Sequence, residues 1–261
     1  MPPRSVENAP SLDWSAASRD YLKYRNGYPQ SYFTLLKDLG IGLRGQKILD
    51  LGTGTGALAI PFASQGAQVT ALDPAPGQVE AARERAKGSN LSIRFIVSGA
   101  EDSGLPDFAY DVVTASMCWG YFDLSRAVPE IHRLLAPGGS LLIGSILWAS
   151  EPGSVSARTD GLISRYNPRF VHGHGGEKGI EAHPTWAEGR FRLRTFHRYV
   201  EPVNFTKETW RGRIRATKWI GADLAPEKVQ AFDVDHQELL KDEPEPLRLP
   251  HRISLQIFEK I

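Results

Sequence analysis

The stretch Ile48-Leu49-Asp50-Leu51-Gly52-Thr53-Gly54-Thr55-Gly56 decides the fold class of this chain. A short apolar run that leads directly into closely spaced glycines is typical of a buried strand with a tight exit turn. Glycine lets the backbone turn sharply and lets a ligand approach without a Cβ in the way. A helix that begins near Ala57 would then direct its free N–H groups toward that ligand. The spacing Gly52-x-Gly54-x-x-Ala57 also fits the relaxed dinucleotide fingerprint, and a plain strand-to-helix turn fits it too, so this stretch alone leaves the ligand open.

Strands and helices alternate around this stretch. The predicted strands are 46–51, 68–72, 91–97, 110–116 and 140–147, and the predicted helices are 57–64, 77–87 and 124–135. Such alternation with short loops predicts a parallel sheet that carries helices on both faces. Ligands bind beyond the carboxyl ends of the strands in sheets of this kind. We therefore expect functional residues just after Leu51, Leu72, Val97 and Ser116.

Composition excludes several classes of protein. The chain has 261 residues, of which 41% are hydrophobic and 23% charged, as in a globular protein with one large domain or with an elaborated second half. Its net charge of +1 argues against a strongly basic nucleic-acid-binding protein. The single cysteine, Cys118, excludes an internal disulfide and favours the reducing cytoplasm. No run is apolar enough for a membrane helix and the start does not resemble a secretory signal, so we expect a cytoplasmic protein without a membrane partner.

Acidic residues follow the second and third predicted strands. Asp73 could accept two hydrogen bonds from a ribose diol, which both NAD and S-adenosylmethionine carry, or it could cap the helix after Pro74. In Gly99-Ala100-Glu101-Asp102, an acidic side chain could accept a hydrogen bond from an adenine amine, and a backbone N–H could meet a ring nitrogen. A solvated acidic turn is the alternative interpretation of this second segment.

Aromatic residues follow the fourth predicted strand, in the segment Ser116-Met117-Cys118-Trp119-Gly120-Tyr121-Phe122-Asp123. Trp119 or Tyr121 could pack on an adenine or on an acceptor substrate. A nucleophilic role for Cys118 is disfavoured because no histidine lies nearby in the sequence, and a small buried side chain is the simpler interpretation.

Together these segments resemble the class I S-adenosylmethionine-dependent methyltransferases. The resemblance spans roughly residues 20 to 147. It rests on motifs in a characteristic order, namely the stretch 48–56, Asp73, segment 99–102, strand 110–116 and the turn Leu134-Leu135-Ala136-Pro137-Gly138-Gly139-Ser140. Asp50 and the Leu-x-Pro-Gly-Gly turn favour this class over nicotinamide dehydrogenases. Within the superfamily the chain is similar to small-molecule enzymes of the trans-aconitate and ubiquinone-pathway type.

The resemblance implies S-adenosylmethionine as the cofactor and S-adenosylhomocysteine as its product. The residues that it implies for cofactor binding are Tyr24, Arg25, Asp50, Gly52, Thr53, Gly54, Gly56, Asp73, Pro74, Ala100, Glu101, Asp102, Ser116 and Met117. Arg25 lies in a segment that resembles an N-terminal lid and could pair with the methionine carboxylate, although an exposed arginine is the alternative. Relatives often carry a histidine in the position that Trp119-Gly120-Tyr121 occupies here, so any base must come from elsewhere.

The second half of the chain is expected to complete the fold and to supply specificity. Segments 190–200 and 252–259 read as strands, and segments 155–166, 207–220 and 226–241 read as helices. The predicted fold class is α/β, a doubly wound, mostly parallel seven-stranded Rossmann-like sheet with a helical cap inserted between the last two strands. The predicted parts are lid helices in 1–40, a cofactor-binding core in 41–150 and acceptor-side elements in 151–261, with cap helices at about 206–241. Candidate walls of an acceptor pocket are Tyr21, Trp119, Tyr121, Tyr166 and Trp186.

Histidines in a glycine-rich segment are the candidates for a catalytic base. His172 and His174 flank Gly173, and His183 follows. Histidine titrates near neutral pH, which suits a general base. A metal site is disfavoured because no aspartate or cysteine lies close by, so no metal is predicted, and an ordinary exposed loop remains the simplest interpretation.

Three further functions remain open at this point. An NAD-dependent oxidoreductase could use the same glycine-rich loop, and a binding module could hold the cofactor without turnover. A tRNA or rRNA methyltransferase could use Arg211, Arg215 and Lys218, which share one predicted helix face. Pairing of these cations with Glu238, Asp242 or Glu243 is the alternative, and the near-zero net charge disfavours nucleic acid. The expected partner is a small-molecule acceptor, and the sequence does not distinguish a monomer from a homodimer.

Overall fold

The computed structural model describes residues 24, 27–89, 91–171 and 183–261. Two short 3₁₀ helices cover Trp119–Tyr121 and Thr185–Ala187, and a π-helix covers Lys218–Ala222. The strands are β1 (Lys47–Leu51), β2 (Gln68–Asp73), β3 (Ile93–Val97), β4 (Tyr110–Ser116), β5 (Leu135–Trp148), β6 (Phe191–Phe205) and β7 (Leu247–Lys260). The α-helices are α1 (Gln30–Asp38), α2 (Ala59–Ser64), α3 (Pro76–Gly88), α4 (Leu124–Leu134), α5 (Val155–Tyr166), α6 (Lys207–Arg215) and α7 (Pro226–Leu240).

The strands form one seven-stranded sheet in the order β3-β2-β1-β4-β5-β7-β6. The pairs from β3 through β5 are parallel, whereas β7 runs antiparallel to β5. The predicted fold class is therefore confirmed, including the helices α6 and α7 between the last two strands of the chain. The strand order reverses at β1, which has β2 on one side and β4 on the other, and this is where ligands bind in sheets of this kind.

The sheet forms the centre of the larger of two compact units, which comprises residues 26–149, 172–204 and 248–261. Alternate side chains of each strand point to opposite faces, so Ile48 joins one buried apolar cluster and Leu49 joins the other. Helix α1 covers the first face with the fully buried Tyr32 and Leu36. Burial on both faces explains why β1 and β4 read as nearly continuous apolar runs.

Strand β5 begins earlier than the sequence predicts. We expected a helix through Leu135 and a turn over Ala136–Gly139, but Leu135 already pairs with Tyr110 of β4. The register between the two strands shifts before Val112 pairs with Ser140, so the Pro-Gly-Gly segment is an irregular, bulged part of the strand. Gly138 has a φ of +71°, which explains why the sequence has the signature of a turn here.

The smaller unit comprises residues 1–25, 150–171 and 205–247, and its described part consists of α5, α6, the π-helix and α7. The indole N–H of Trp210 donates to Thr159 Oγ1 at 3.2 Å, and His236 Nε2 lies 3.2 Å from the same oxygen. All three side chains are fully buried. Helix α6 ends at Arg215, earlier than the single predicted helix 207–220, and the π-helix follows at Lys218.

The buried His236 should make this protein sensitive to acid. Burial removes the imidazolium from water and lowers the pKa of His236 to about 3, although Asp233 acts in the opposite direction. Below pH 6.5 the unfolded chain binds this proton and the folded chain does not, so stability falls by about 1.4 kcal/mol per pH unit between pH 6.5 and pH 3. In denaturant titrations at a series of pH values, His236→Gln should flatten this slope.

Candidate functional site

The glycine-rich loop after β1 forms the first part of the candidate site. Gly52, Gly54 and Gly56 all have positive φ angles, of +60°, +55° and +80°. The backbone N–H of Thr53 donates to Leu72 O of β2 at 2.9 Å, which fixes the loop against the neighbouring strand. Helix α2 begins at Ala59, slightly later than predicted. The loop therefore keeps the left-handed conformations that only glycine adopts without strain.

Asp50 lies beneath this loop and is only 3% exposed. The hydroxyl of Thr114 donates to Asp50 Oδ1 at 2.6 Å, and the backbone N–H of Ala59 also donates to this carboxylate. Burial raises the pKa of Asp50 to about 6, while the hydrogen bond from Thr114 lowers it and the charge of Asp73 raises it. The first N–H of α2 is thus engaged by a carboxylate of the chain itself.

Asp73 ends β2 and holds the loop in place. Its Oδ2 accepts from the backbone N–H of Gly54 at 2.9 Å, and its Oδ1 accepts from that of Ala75 at 2.9 Å. Burial raises the pKa of Asp73, while these two backbone hydrogen bonds lower it. The helix-capping interpretation is wrong, because the N-cap of α3 is Ala75 and the Asp73 carboxylate accepts from the N–H of Ala75 and not from the first turn of the helix.

The segment after β3 lies beside Asp73, since the backbone N–H of Ser98 donates to Asp73 O at 3.2 Å. Ala100 is buried, whereas Asp102 is exposed and Glu101 is half-buried. Glu101 Oε1 accepts from the backbone N–H of Asp123 at 3.1 Å, at the start of α4. Glu101 thus connects the segment after β3 to the start of α4, and Ala100, Glu101 and Asp102 stay predicted contacts of an adenine.

The end of β4 completes the convergence of strand tips. A Cβ at Gly52 would lie 2.8 Å from the Cβ of Cys118, so the loop after β1 touches the segment after β4. Met117 has a φ of +65°, an unusual value for a residue other than glycine. The Cys118 Sγ–H donates to Leu51 O at 3.2 Å, and burial raises the pKa of this thiol, so it is a structural side chain.

Two of the predicted acceptor-pocket residues pack against each other. The rings of Trp119 and Trp186 have centroids 4.9 Å apart, and Trp186 also contacts Phe258 at 4.8 Å. Tyr121 is 54% exposed. Trp119, Trp186 and Phe258 therefore form an aromatic cluster in the larger unit, and Trp119 belongs to the segment that follows β4.

Of the other predicted site residues, two belong to the smaller unit, one is exposed next to Asp73 in the chain, and the rest lie outside the described residues. Tyr166 belongs to the smaller unit, where its hydroxyl donates to Asp235 Oδ2 at 2.8 Å. Tyr24 also belongs to that unit, where its hydroxyl donates to Glu208 Oε1 at 2.9 Å and its ring lies against Gly212. Pro74 is exposed. The predicted residues that lie outside the described part of the chain are Tyr21, Arg25, His172 and His174.

The sequence analysis missed four residues around the site. Thr114 was considered only as part of a strand, although a hydroxyl opposite an aspartate on the neighbouring strand is a usable signal. Tyr28 has no predicted role, although its hydroxyl donates to Ser116 Oγ at 2.7 Å. Tyr32 and Gly144 carry no signal that distinguishes them from ordinary core and strand residues, although a Cβ at Gly144 would lie 2.3 Å from the Tyr32 hydroxyl oxygen and 2.6 Å from Ser116 Oγ.

The arrangement favours a cationic adenosine ligand over a dinucleotide. Asp50 and Asp73 place two buried carboxylates at adjacent strand tips, and their described partners are hydroxyl and backbone N–H groups. A pyrophosphate beside them would be repelled, whereas a sulfonium or ammonium group would be stabilised. Among residues 24, 27–89, 91–171 and 183–261, no cluster of three histidine, cysteine or acidic side chains has the geometry of a metal site. No helix in this described part is long and apolar enough to cross a membrane.

Comparisons with known proteins agree with this geometry. Residues 49–143 match the methyltransferase domain family. The chain is 38% identical over 109 residues to demethylmenaquinone methyltransferase of Thermus thermophilus, covering 41% of this chain and 50% of the relative. It is 37% identical over 105 residues to ubiquinone biosynthesis O-methyltransferase of Methylocella silvestris, covering 40% of this chain and 41% of the relative. The chain thus spans about half the length, or less, of these curated relatives.

A solved structure extends the likeness to most of the chain. Phosphoethanolamine N-methyltransferase 2 of Haemonchus contortus, in complex with phosphomonomethylethanolamine and S-adenosylhomocysteine, aligns with a TM-score of 0.55 at 19% identity, covering 95% of this chain and 57% of that protein. The fold is therefore the Rossmann-like methyltransferase fold. The methyltransferase-domain match thus covers residues 49–143 of a chain that has this fold.

Proposed function

We propose that this protein transfers the methyl group of S-adenosylmethionine to an oxygen, nitrogen or carbon atom of a small-molecule acceptor, with S-adenosylhomocysteine as the product. The observation that carries the proposal is the pair of buried carboxylates, Asp50 and Asp73, at the tips of β1 and β2 beside a loop of positive-φ glycines. The relatives named above support a small-molecule acceptor, since their names specify quinone-pathway compounds.

The residues present fit this cofactor. Asp50 and the loop Gly52–Gly56 would hold the methionine part, Asp73 would accept hydrogen bonds from the ribose hydroxyls, and residues 100–102 would surround the adenine. The cofactor supplies an electrophilic methyl group on a positively charged sulfur. The chain itself then has to align the acceptor and exclude water, since alignment accounts for much of the rate in such a displacement.

Several finer expectations belong to this proposal. We infer that 41–150 form the cofactor-binding core and that 151–261 supply the acceptor side. The lid expected over 1–40 would have to exclude α1, because Tyr32 and Leu36 of this helix are fully buried in the core. His172 and His174 stay the candidates for a base where the acceptor must lose a proton first. Trp119 and Trp186 are the candidate aromatic walls, and a cytoplasmic location is expected from the single cysteine.

Thermal shift measurements test the cofactor assignment. S-adenosylmethionine and S-adenosylhomocysteine, each at about 100 times its Kd, should raise the Tm by about 5–10 °C. NADH should leave the Tm unchanged. A Tm that rises with NADH and not with S-adenosylmethionine would show that the loop binds a dinucleotide, and the proposal would be wrong.

The RNA methyltransferase alternative loses its main support in the smaller unit. Arg211 and Arg215 of α6 both pair with Asp233 of α7, so two of the three predicted phosphate-binding cations share one carboxylate, which offsets one of their two charges. Arg211 Nε lies 3.0 Å from Asp233 Oδ1. The alternative interpretation as a paired face is correct in kind, although the partner is Asp233 and not one of the acidic residues expected from the sequence.

Cofactor affinity should depend on pH through Asp50. The pKa of Asp50 is raised to about 6, and a bound cation would lower it again, so affinity should rise by up to about tenfold per pH unit from pH 5 to pH 6 and level off above pH 7. The neighbouring Asp73 and Cys118 also have raised pKa values. Calorimetric Kd values for S-adenosylmethionine should follow this curve in the wild type and become nearly flat in Asp50→Asn.

In the ligand-free protein, the contribution of Asp50 to folding stability decreases as the pH rises, whereas its contribution to cofactor affinity increases. The folded pKa of Asp50 lies above its ordinary value of 3.8, so the folded chain binds this proton more tightly than the unfolded chain does. This contribution to stability is full below about pH 4 and is lost as the pH rises through 6.

A cofactor affinity that does not change between pH 5 and pH 7 would contradict the assignment of Asp50.

A further inference from the structure

One face of α3 lies against the glycine-rich loop that follows β1, within the larger unit. Ala82 lies beside the loop at Gly56, since a Cβ at this glycine would be 3.5 Å from the Cβ of Ala82. Arg85 is three residues further along α3, and residues three apart are neighbours on a helix surface. Its Nη1 donates to Thr55 O at 2.7 Å and to Thr55 Oγ1 at 2.9 Å. Helix α3 therefore meets the loop at two consecutive residues, Thr55 and Gly56.

The contact joins an exposed arginine to a buried threonine. Thr55 is only 3% exposed, so its carbonyl and hydroxyl oxygens need hydrogen-bond donors inside the protein. Arg85 is exposed and supplies one nitrogen atom to both oxygens. A hydrogen bond from a charged donor is stronger than one between two neutral groups. Arg85 thus holds a buried residue of the loop from the surface of the protein.

The glycines make this loop costly to hold in one conformation. All three have positive φ angles, and glycine loses more conformational freedom on ordering than any other residue. Hydrogen bonds from outside the loop offset this loss. Asp73 provides one, because it accepts from the backbone N–H of Gly54 at 2.9 Å. Arg85 provides the next through Thr55, so two residues from the end of β2 and from α3 hold successive positions of the loop.

We propose that Arg85 is a positioning residue for S-adenosylmethionine, because by holding Thr55 it keeps the loop in the conformation that binds the cofactor. Arg85 acts through Thr55 and does not itself contact the cofactor. A loop that is already ordered loses less freedom when the ligand arrives, and this favours affinity. The inference rests on the proposed function and adds to it a residue outside the predicted site.

Arg83 offers a matched control on the same helix. Its Nη2 donates to Phe95 O at 3.1 Å, so it makes the same type of contact, from a guanidinium to a backbone carbonyl. This carbonyl belongs to β3 at the edge of the sheet and not to the glycine-rich loop. Arg83 also pairs with Glu80 at 3.3 Å, an exposed contact of the kind that contributes little to stability. A difference between variants of the two arginines therefore reports on the loop and not on α3.

Hydrogen exchange in the ligand-free protein tests the contact itself. In Arg85→Met the backbone amides of residues 54–56 should exchange about 5-fold faster than in the wild type or more, because the loop opens more often once Thr55 is released. In Arg83→Met these amides should exchange at the wild-type rate. Equal rates in Arg85→Met and the wild type would overturn the inference, whether or not the protein binds S-adenosylmethionine.

Calorimetry with S-adenosylhomocysteine tests the consequence for the cofactor site. Arg85→Met should raise the Kd about 5- to 15-fold, whereas Arg83→Met should change it by less than about 2-fold. Arg85→Lys should raise the Kd by less than about 3-fold, because an ammonium group carries three donors and a single nitrogen makes both contacts in the wild type. A wild type that binds neither S-adenosylmethionine nor S-adenosylhomocysteine would refute the proposed function. Normal binding with an unchanged Kd in Arg85→Met would overturn this inference alone.

Thr55→Val distinguishes a role through Thr55 from a general effect of the arginine charge. Valine has the shape of threonine but lacks the hydroxyl oxygen, so one of the two contacts with Arg85 is lost. This change should raise the Kd about 2- to 4-fold in the wild type and have almost no effect in Arg85→Met, where the contact is already absent. Additive effects of the two changes would show that Arg85 acts by a route other than Thr55, and the inference would be wrong.

Discussion

Replacing Gly52 with alanine is expected to reduce the affinity for S-adenosylmethionine at least 100-fold and to lower the free energy of unfolding by about 2–5 kcal/mol. Two effects add up at this position. The φ of +60° is left-handed, which costs alanine about 1–2 kcal/mol. The new Cβ would also lie 2.8 Å from the Cβ of Cys118 and 2.9 Å from its Sγ, and relieving this overlap costs about 1–3 kcal/mol.

The overlap cannot be relieved cheaply because Cys118 is itself fixed. Its Sγ–H donates to Leu51 O, and its carbonyl accepts from the backbone N–H of Tyr121 at 2.9 Å in the short 3₁₀ helix. Movement of Cys118 would therefore disturb the end of β4, and movement of Gly52 would disturb the loop that cradles the ligand. Either adjustment changes the geometry of the proposed cofactor site. Gly52→Ala should therefore bind S-adenosylmethionine more weakly even when it is folded.

Gly45→Ala is the matched control for this prediction. Gly45 has a φ of +81°, but a Cβ at this position would meet no atom within 4 Å. It should therefore lose only about 1–2 kcal/mol of stability and retain its cofactor affinity. Denaturant unfolding and calorimetry on both variants separate the two effects. Equal losses of affinity in Gly52→Ala and Gly45→Ala would mean that contact between the loop and Cys118 is not important for binding.

The sheet could be predicted from the sequence because its strands are buried on both faces and are followed by recognisable turns. The run Ile48–Leu51 ends in glycines, and Tyr110–Ser116 has the composition of a buried strand, so the two central strands have clear signals. The start of β5 was less predictable. A Pro-Gly-Gly segment normally indicates a turn, and only the pairing of Leu135 with Tyr110 makes it part of a bulged strand.

Contacts between distant segments were the main part that sequence patterns could not specify. The helical spacing of Arg211 and Arg215 predicts a common face, but it carries no information on which acidic residue lies opposite, and Asp233 does so here. The contact between Trp119 and Trp186 similarly depends on how the chain returns to the sheet. The close approach of Gly144 to Tyr32 and Ser116 similarly becomes visible only when the two strands and α1 are placed together.

Replacing Asp73 with alanine is the second change expected to have a large effect, with the Kd for S-adenosylmethionine raised about 10-fold or more. The carboxylate is the predicted acceptor for the ribose hydroxyls. It also holds the cradle, since it accepts from the backbone N–H groups of Gly54 and Ala75, each at 2.9 Å. Alanine would leave both N–H groups without this partner, at a cost of about 1–3 kcal/mol for each one that stays buried.

Asp111→Ala controls for the general cost of removing such a carboxylate. Asp111 Oδ2 accepts from the backbone N–H of Lys47 at 2.8 Å, at the amino end of β1, so the same type of contact is lost at the end of the strand opposite the proposed site. Asp111→Ala should lose stability but keep its cofactor affinity.

Asp73→Asn retains one acceptor oxygen and should fall between the wild type and Asp73→Ala in calorimetric Kd. An unchanged Kd in folded Asp73→Ala would mean that the ribose is not bound at the end of β2, because the loss of a charge-assisted acceptor has to appear in the affinity of any ligand that uses it.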